Sequence, residues 1–278
     1  MTLVELLVVL TILALLTTVA VTSTDVFLNQ GRHEATTRTL TNIEDAVLGP
    51  ANARQADGAV LTSGFVADLG RLPLAASSDP LTGLAELWSN PGGVQPFAIR
   101  PAPSDPEVLV PSGWRGPYLR LPVGQGVLRD GWGNPVSLLN GSGNPAATGE
   151  AIAAVRSFGA DGAPGGTQDY DVDLTVTLAD RIAVAASGNV YVMDGNGQRQ
   201  NPPDPSQIRV VLYGPNPTTG NVLETVVPTT VRADGVVSYA VATTPGPRFL
   251  RAYLGAPATR KSLVVRFERS DLIHLDIR

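Results

Sequence analysis

The sequence predicts an α+β chain, in which a long N-terminal helix packs on a small antiparallel sheet and an all-β sandwich follows. Three observations support this class. The chain begins with an uncharged apolar run, continues through a region punctuated by Pro and Gly, and alternates apolar with polar residues from about Ala179. These changes divide it into residues 1–50, 51–178 and 179–278.

Composition restricts the possible functions. The net charge of the 278 residues is −5 and the only lysine is Lys261, so no basic stripe predicts a nucleic-acid partner. The absence of cysteine excludes disulfides, thiol catalysis and cysteine-ligated zinc. With two histidines far apart and no recognisable phosphate loop or Ser-His-Asp arrangement, the chain is not expected to be an enzyme.

The first element is an apolar helix. No residue between Glu5 and Asp25 is charged, and a helix over Leu6–Thr24 is about 28 Å long at about 1.5 Å per residue. That length is close to the ~30 Å hydrocarbon core of a bilayer, so the segment is predicted to be able to span a membrane. A secretory signal peptide is disfavoured, because no Lys or Arg precedes the run.

Glu5 is the unusual residue of this helix. A carboxylate buried beside apolar residues needs a cation or hydrogen-bond donors. A neighbouring copy, shifted along the helix axis, can supply its α-amino group at Met1 for that purpose. Chemistry alone equally allows Glu5 to lie in water at the level of the lipid headgroups.

The stretch TLVELLVVLTILALL (2–16) resembles the N-terminus of the type IV pilin and pseudopilin family. The resemblance implies that a prepilin peptidase removes a leader before Met1, which is then N-methylated. It also implies that Glu5 pairs with the N-terminal amine of an adjacent subunit during assembly. The proline that many family members carry near position 22 is absent, since Thr22 and Ser23 stand there.

Further along, apolar residues at helical spacing (Leu40, Ile43 and Val47) extend the predicted helix to about residue 48, before Gly49-Pro50. Short helical turns are expected within 64–73 and 82–88. The Gly-Pro-Tyr-Leu of 116–119 and the Trp-Gly-Asn-Pro of 132–135 resemble the major pseudopilin of type II secretion systems. The family's pilin fold is therefore expected for the first two segments.

The segment 157–176 is rich in Asp and Gly. Asp161, Asp169, Asp171 and Asp173 fall within thirteen residues, and Ca²⁺ prefers six to eight oxygen ligands. The spacing is not that of an EF-hand, and an acidic, solvated turn is the alternative.

Resemblance to the calcium loop of the same pseudopilin favours one Ca²⁺ per subunit. Carried over by position, it assigns the backbone oxygen of Phe158 and the carboxylates of Asp161 and Asp169 as ligands. Gln168 stands where the family has an acid, so its amide oxygen brings no charge, and Asp171 is the candidate to compensate.

From Ala179 to Arg278, short alternating strands are separated by turns such as Asp194-Gly195 and Asp234-Gly235. This texture predicts an immunoglobulin-like β-sandwich. The stretch from Ile208 onward also loosely resembles transthyretin-like modules. His33 and His274 are expected to be an ordinary helix residue and a strand residue, respectively.

The favoured function is a structural one: a subunit that polymerises through its N-terminal helix into a type IV pilus-like or pseudopilus filament. The expected partners are other copies of the chain, the prepilin peptidase and assembly machinery, and the cytoplasmic membrane before assembly. The filament itself is extracellular or periplasmic, and the sequence leaves that choice open. The alternatives are a membrane-anchored module whose sandwich binds a ligand, and a minor pseudopilin at the filament tip.

Overall fold

The structure is a computed structural model that describes residues 3–50, 62–79, 82–121, 128–167, 169–255, 260–268 and 270–278, without the side chains of 16 and 18–24. Two α-helices are present in these ranges, α1 (Leu3–Leu48) and α2 (Phe65–Leu69). Single 3-10 turns occupy Ala85–Leu87, Ala179–Arg181 and Pro205–Gln207.

The predicted α+β pilin fold is wrong as the class of this chain. The described residues are predominantly β, with 16 strands in four sheets. The physical reason lies in the region rich in Pro and Gly, where short strands form two separate small sheets. The two largest sheets then form a sandwich that contains most of the strands, so a helix on one small sheet does not describe the molecule.

The C-terminal part of α1 is held by an apolar stripe. Thr36, Leu40, Ile43 and Val47 are fully or almost fully buried at intervals of three or four residues, which places them on one side of the helix. The helix ends before Gly49, whose positive φ of 81° suits glycine and whose N–H donates to the carbonyl of Asp45 at 2.9 Å.

This stripe enters the first hydrophobic core. Its other members include residues of α2, of the connecting segments and of a three-stranded antiparallel sheet with the order β3-β4-β5. These strands are β3 (Ser137–Leu139), β4 (Ala154–Ser157) and β5 (Leu174–Thr177). α1 contacts α2, β4 and β5, and among its described side chains the buried ones all lie in its second half.

Two larger sheets form the C-terminal sandwich. One contains β6 (Val184–Met193), β7 (Arg199–Gln200), β10 (Thr229–Val231), β11 (Val237–Thr243), β15 (Asp271–Leu272) and β16 (Leu275–Ile277). The other contains β8 (Ile208–Pro215), β9 (Val222–Val227), β12 (Arg248–Leu254), β13 (Arg260–Lys261) and β14 (Val265–Phe267). β15 and β16 run parallel to β6, and the other pairs are antiparallel.

Alternation along the strands creates the sandwich core. Every second residue of β6 from Ala186 to Val192 is buried while the residues between are more exposed, because successive side chains point to opposite faces. The side chains of Ala186, Val190 and Val192 pack against Val210 and Leu250 of the opposing sheet. His274 lies between β15 and β16, and its Nδ1 accepts a hydrogen bond from the N–H of Asn189 at 3.2 Å.

The remaining sheet is a two-stranded ribbon formed by β1 (Ala98–Pro101) and β2 (Leu109–Ser112). It lies in the middle of the sequence, yet it packs on the outer face of the β8–β12 sheet. A third core contains Ala102, Val108 and Val110 from the ribbon region together with Val211, Tyr213 and Tyr253. The ribbon therefore joins the sandwich to the first unit, which is the part of the chain that contains α1, α2 and β3–β5.

Candidate functional site

The first turns of α1 form an uncovered apolar surface. Every residue from 3 to 15 is exposed, and the large apolar side chains among them are Leu3, Val4, Leu6, Leu7, Val8, Val9, Leu10, Ile12, Leu13 and Leu15. None of these side chains contributes to the cores of the described residues. The surface surrounds the helix on all sides, because it includes consecutive positions rather than one stripe.

The hydroxyl groups within this segment are turned toward the backbone. Thr11 Oγ1 donates to the carbonyl of Leu7 at 2.8 Å, and Thr17 Oγ1 donates to the carbonyl of Leu13 at 2.6 Å. These local bonds satisfy both hydroxyls within the helix. The segment thus offers an almost wholly apolar contact surface, and Glu5 is the only charged residue on it.

Of the two predicted assembly residues, the structure describes only one. Glu5 lies exposed in the first turn of α1, whereas Met1 lies outside the described residues. No helix within the described part of the chain is long and apolar enough to cross a membrane. The side chains at 16 and 18–24, which belong to the predicted span Leu6–Thr24, lie outside that part.

The Asp-rich loop between β4 and β5 is held by hydrogen bonds. Asp161 Oδ1 accepts a bond from the N–H of Ala163 at 3.0 Å, closing a local turn. Asp173 Oδ1 accepts from the N–H of Gly165 at 3.1 Å, and its other oxygen lies 3.7 Å from Arg156. Both carboxylates therefore have partners inside the protein.

The calcium ligand set is not assembled in the part of the chain that the structure describes. No three acidic or histidine side chains there are arranged to hold a metal ion. Asp161 and Asp169 are exposed, Phe158 and Asp171 are half-buried, and Gln168 lies outside the described residues. Ca²⁺ binding therefore stays a prediction from the family resemblance.

The base of this loop contains residues that sequence reasoning did not single out. The carboxylate of Asp130 is buried and accepts bonds from Ser157 Oγ at 2.8 Å and from the N–H of Asn134 at 2.8 Å. Asn134 Nδ2 then donates to the carbonyl of Gly159 at 3.1 Å. The Asp-Gly-Trp-Gly-Asn turn was visible in the sequence, but its contact with a loop 25 residues away was not.

The same turn also touches α1. The N–H of Gly131 donates to Thr36 Oγ1 at 2.8 Å. The ring of His33 makes edge contacts with the rings of Trp132 and Tyr170, at centroid distances of 6.3 and 6.1 Å. His33 is therefore half-buried in an aromatic contact rather than simply solvated.

A buried ion pair between Arg251 and Asp105 connects the sandwich to the ribbon. Arg251 Nη1 lies 2.8 Å from Asp105 Oδ2, and the hydroxyl of Tyr253 donates to the same oxygen at 2.6 Å. Burial by itself would raise the pKa of Asp105, but the Tyr253 hydrogen bond and the charge of Arg251 outweigh it and lower that pKa. The ionised carboxylate is thus the form that the native state favours.

A second arginine connects α2 to the sandwich. Arg248 is 1% exposed and donates to the carbonyls of Ala67 at 3.1 Å and Val66 at 3.4 Å, and to Thr244 Oγ1 at 2.7 Å. Burial lowers its pKa to about 10. Its guanidinium satisfies carbonyls near the end of α2, where helical carbonyls lack partners within the helix.

An apolar cleft opens at the side of the sandwich between β9 and β11. Its volume is about 300 Å³, and Leu212, Leu223 and Val241 line it. Arg248 and Pro217 lie at the end nearest α2. The cleft contains no arrangement of acid, base and nucleophile.

Comparisons of the chain with protein-family models, with curated proteins and with solved structures find no match.

Proposed function

We propose that this chain is a structural subunit that polymerises through its N-terminal helix into a filament. One observation carries the proposal: the unbroken apolar surface of Leu3–Leu15 is exposed on every side of α1. Contiguous exposed apolar surfaces of this kind mark contacts with other proteins or with lipid. A helix that is apolar all round needs neighbours on all sides, which a bundle of like helices supplies.

The energies are consistent with assembly. Burying a Leu, Val or Ile side chain stabilises by roughly 2 kcal/mol. Burying half of the ten large side chains therefore contributes about 10 kcal/mol, which is on the order of the cost of association. Burial of more than half, as expected for a helix inside a bundle, favours the polymer.

The position of the buried stripe in the second half of α1 supports an open polymer. The buried stripe of α1 begins at Thr36, and the helix meets the turn at Gly131 through Arg32, so residues 3–31 extend for roughly 40 Å ahead of these contacts at about 1.5 Å per residue. A contact between different surfaces of identical copies, when it does not close into a ring, produces a helical filament. The folded units then surround a core of helices.

Within such a core, a cation beside Glu5 is stabilising. Burying an ionised carboxylate among apolar side chains is costly unless it is paired. The pilin-like sequence of 2–16 supports the proposal that the partner is the N-terminal amine of a neighbouring copy. This pairing sets the axial position of one copy against the next, whereas the apolar residues supply the attraction.

The remaining parts of the proposal follow from the same resemblance. The chain is held at the cytoplasmic membrane by its helix before assembly, and a prepilin peptidase and an assembly machinery act on it. The finished filament is a type IV pilus-like fibre or a pseudopilus.

The test uses the full chain, purified in detergent and then depleted of detergent. Sedimentation and electron microscopy should show filaments for the unaltered chain and none for Leu10→Asp. The matched control Leu272→Asp should assemble normally, because it alters an equally accessible leucine on the sandwich. Failure of the unaltered chain to assemble, or normal filaments from Leu10→Asp, would refute the proposal.

Glu5 is tested separately with Glu5→Leu, which makes the helix still more apolar. We expect a monomer that melts like the unaltered chain but does not assemble. Abundant normal filaments from Glu5→Leu would refute the pairing and leave the apolar contact in place.

A membrane-anchored binding module is the second candidate. The observation that favours it is the apolar cleft between β9 and β11, with a volume of about 300 Å³, which is at the lower end of the range for ligand sites. An unaltered chain that stays monomeric while a ligand protects the cleft from hydrogen exchange would support this candidate over the filament.

A further inference from the structure

The ribbon of β1 and β2 has one buried face and one exposed apolar face. Its buried face packs on the sandwich through Val108 and Val110. On the other face, Ile99 is 65% exposed and Leu109 is 53% exposed. Large apolar side chains on two adjacent strands of one small ribbon are more than the scattered apolar residues of an ordinary surface.

The strand register brings the exposed residues together. Ile99 lies opposite Pro111, and Leu109 lies opposite Pro101. Directly opposed residues on one face of an antiparallel pair have Cβ atoms about 5 Å apart. Ile99, Pro101, Leu109 and Pro111 therefore form one continuous patch, here called the ribbon patch.

The two prolines also protect the ribbon edges. The N–H of Ala102 donates to the carbonyl of Val108 at 2.9 Å, which makes 102 and 108 a hydrogen-bonded pair. Since such pairs alternate, the backbone groups at 99, 101, 109 and 111 point away from the ribbon. Pro101 and Pro111 have no N–H to offer there, so each edge resists addition of another strand.

The ribbon patch is thus suited to contact through side chains rather than through strand pairing. It is also fixed in position. Asp105, in the turn of the ribbon, is held by Arg251 and Tyr253 of the sandwich, at 2.8 and 2.6 Å. Arg100 Nη1 donates to the carbonyl of Ser112 at 2.7 Å, which braces one strand against the other. A preformed surface loses little conformational freedom on binding.

We infer that the ribbon patch docks on a second copy of this chain within the filament. Four side chains offer at most a few hundred Å², whereas a stable independent complex buries at least about 1,200 Å² in total. The patch is too small to hold a partner alone. It becomes effective when another contact already holds the partner nearby, and the helix contact does so between copies.

This inference rests on the proposed function, because the N-terminal helices bring the copies together. In an open helical polymer the two contacting surfaces differ, so the ribbon patch meets another part of the neighbouring subunit rather than itself. Its contribution is the lateral contact between folded units, outside the core of helices.

The absence of cysteine allows each surface to be labelled alone. Ile99→Cys and Leu272→Cys are each coupled to an environment-sensitive fluorophore in the full chain, and polymer is detected independently by sedimentation. On passing from detergent-held monomer to polymer, the emission at 99 should shift to shorter wavelength. The label at 272, on an equally exposed sandwich position (67%), should not shift.

The outcomes separate the inference from the function on which it rests. Polymer without a shift at 99 overturns the ribbon contact and leaves the filament proposal intact. No polymer overturns both. A shift at 99 on adding phospholipid vesicles to the monomer, without a shift on polymerisation, assigns the patch to a membrane surface and overturns the inference.

A second measurement needs no label. The double variant Ile99→Ser, Leu109→Ser should melt like the unaltered chain, since both side chains are exposed. It should raise the critical concentration for polymerisation about tenfold, the effect of losing one or two buried apolar side chains. Leu263→Ser, Leu272→Ser is the matched control and should change it little. An equal effect of both double variants would contradict a specific ribbon contact.

Discussion

Asp68 is a carboxyl group enclosed by both units of the molecule. It is 4% exposed in α2, where Arg115 lies 3.0 Å from one oxygen and the Tyr118 hydroxyl donates to the other at 3.0 Å. Burial raises its pKa from 3.8 to about 6, although Arg115, Tyr118 and Arg248 act to lower it. Desolvation thus outweighs three favourable neighbours.

This shift predicts how stability depends on pH. Because the folded-state pKa exceeds the ordinary value, protonation of Asp68 favours the folded state. The contribution is present in full below about pH 4 and is lost as the pH rises through 6. This rise in the pKa of Asp68 from 3.8 to about 6 corresponds to about 3 kcal/mol. The free energy of unfolding of Asp68→Asn, relative to the unaltered chain, should therefore increase by up to that amount between pH 4 and pH 7.

Urea unfolding at several pH values measures the effect. Asp180→Asn is the matched control, since that carboxyl group is exposed, and its profile should run parallel to that of the unaltered chain. Parallel profiles for Asp68→Asn as well would contradict the assigned pKa.

Sequence reasoning found some of the important residues and missed others for a physical reason. Glu5 was recognisable because the apolar residues that flank it in the sequence also surround it on the helix. Asp68 and Asp105 were not, because their burial depends on Tyr118 and Arg251, which are 50 and 146 residues away. Charge and spacing along the chain do not reveal such contacts.

At the scale of elements, α1 is fixed by close backbone contacts as well as by its apolar stripe. A Cβ atom at Gly131 would lie 2.0 Å from the carbonyl oxygen of Arg32. The turn that contains Gly131 can approach the helix only because that position has no side chain. The adjacent Asp130 then ties this turn to Ser157 at the end of β4.

Gly131→Ala should destabilise the folded unit by about 2 kcal/mol or more, because helix backbone cannot move away cheaply. Gly141→Ala is the matched control: nothing lies within 4 Å of a Cβ there, and we expect a change within about 0.5 kcal/mol. Chemical denaturation of both variants measures the difference. Equal stability of the two variants would show that the turn at Gly131 does not pack tightly against α1.

The Asp-rich loop gives a test of the predicted metal. If Ca²⁺ binds as the family resemblance implies, EDTA lowers the melting temperature and added Ca²⁺ restores it. Asp161→Asn combined with Asp169→Asn should then abolish the response, whereas Asp194→Asn, in a sandwich hairpin, should retain it. An unaltered chain whose melting temperature is the same in EDTA and in Ca²⁺ would rule out a stabilising ion.

A strand could be predicted from the sequence where apolar and polar residues alternate along it. The sandwich strands were predictable because one face is buried and the other exposed, as in β6, so their sequences alternate. The ribbon was not, because Pro101 and Pro111 interrupt the usual strand signal. The fold class was misjudged for a related reason: short strands between glycines and prolines gave no pattern that assigned them to separate sheets.

The whole molecule is joined by contacts that cross the sequence-predicted boundary at 178. Arg248 and Arg251 belong to the sandwich, and their partners include Ala67 of α2 and Asp105 of the ribbon. Gly246 approaches so closely that a Cβ atom there would lie 2.7 Å from Cα of Ala67. The sandwich and the part of the chain before it therefore share buried contacts, and we expect both units to unfold together.

Tryptophan fluorescence can test this cooperativity, because all three tryptophans, at 88, 114 and 132, precede the sandwich. Arg251→Ala leaves the buried Asp105 carboxylate without its guanidinium partner, which should cost about 3–5 kcal/mol. Although residue 251 lies in the sandwich, the fluorescence transition in urea should move to lower concentration. Hydrogen exchange of peptides that cover β6 and β16 should show the same midpoint. Arg199→Ala, which removes the more exposed pair with Asp276, should change stability by less than about 1 kcal/mol. A fluorescence transition that stays in place while the sandwich peptides lose protection earlier would mean that the two units unfold independently.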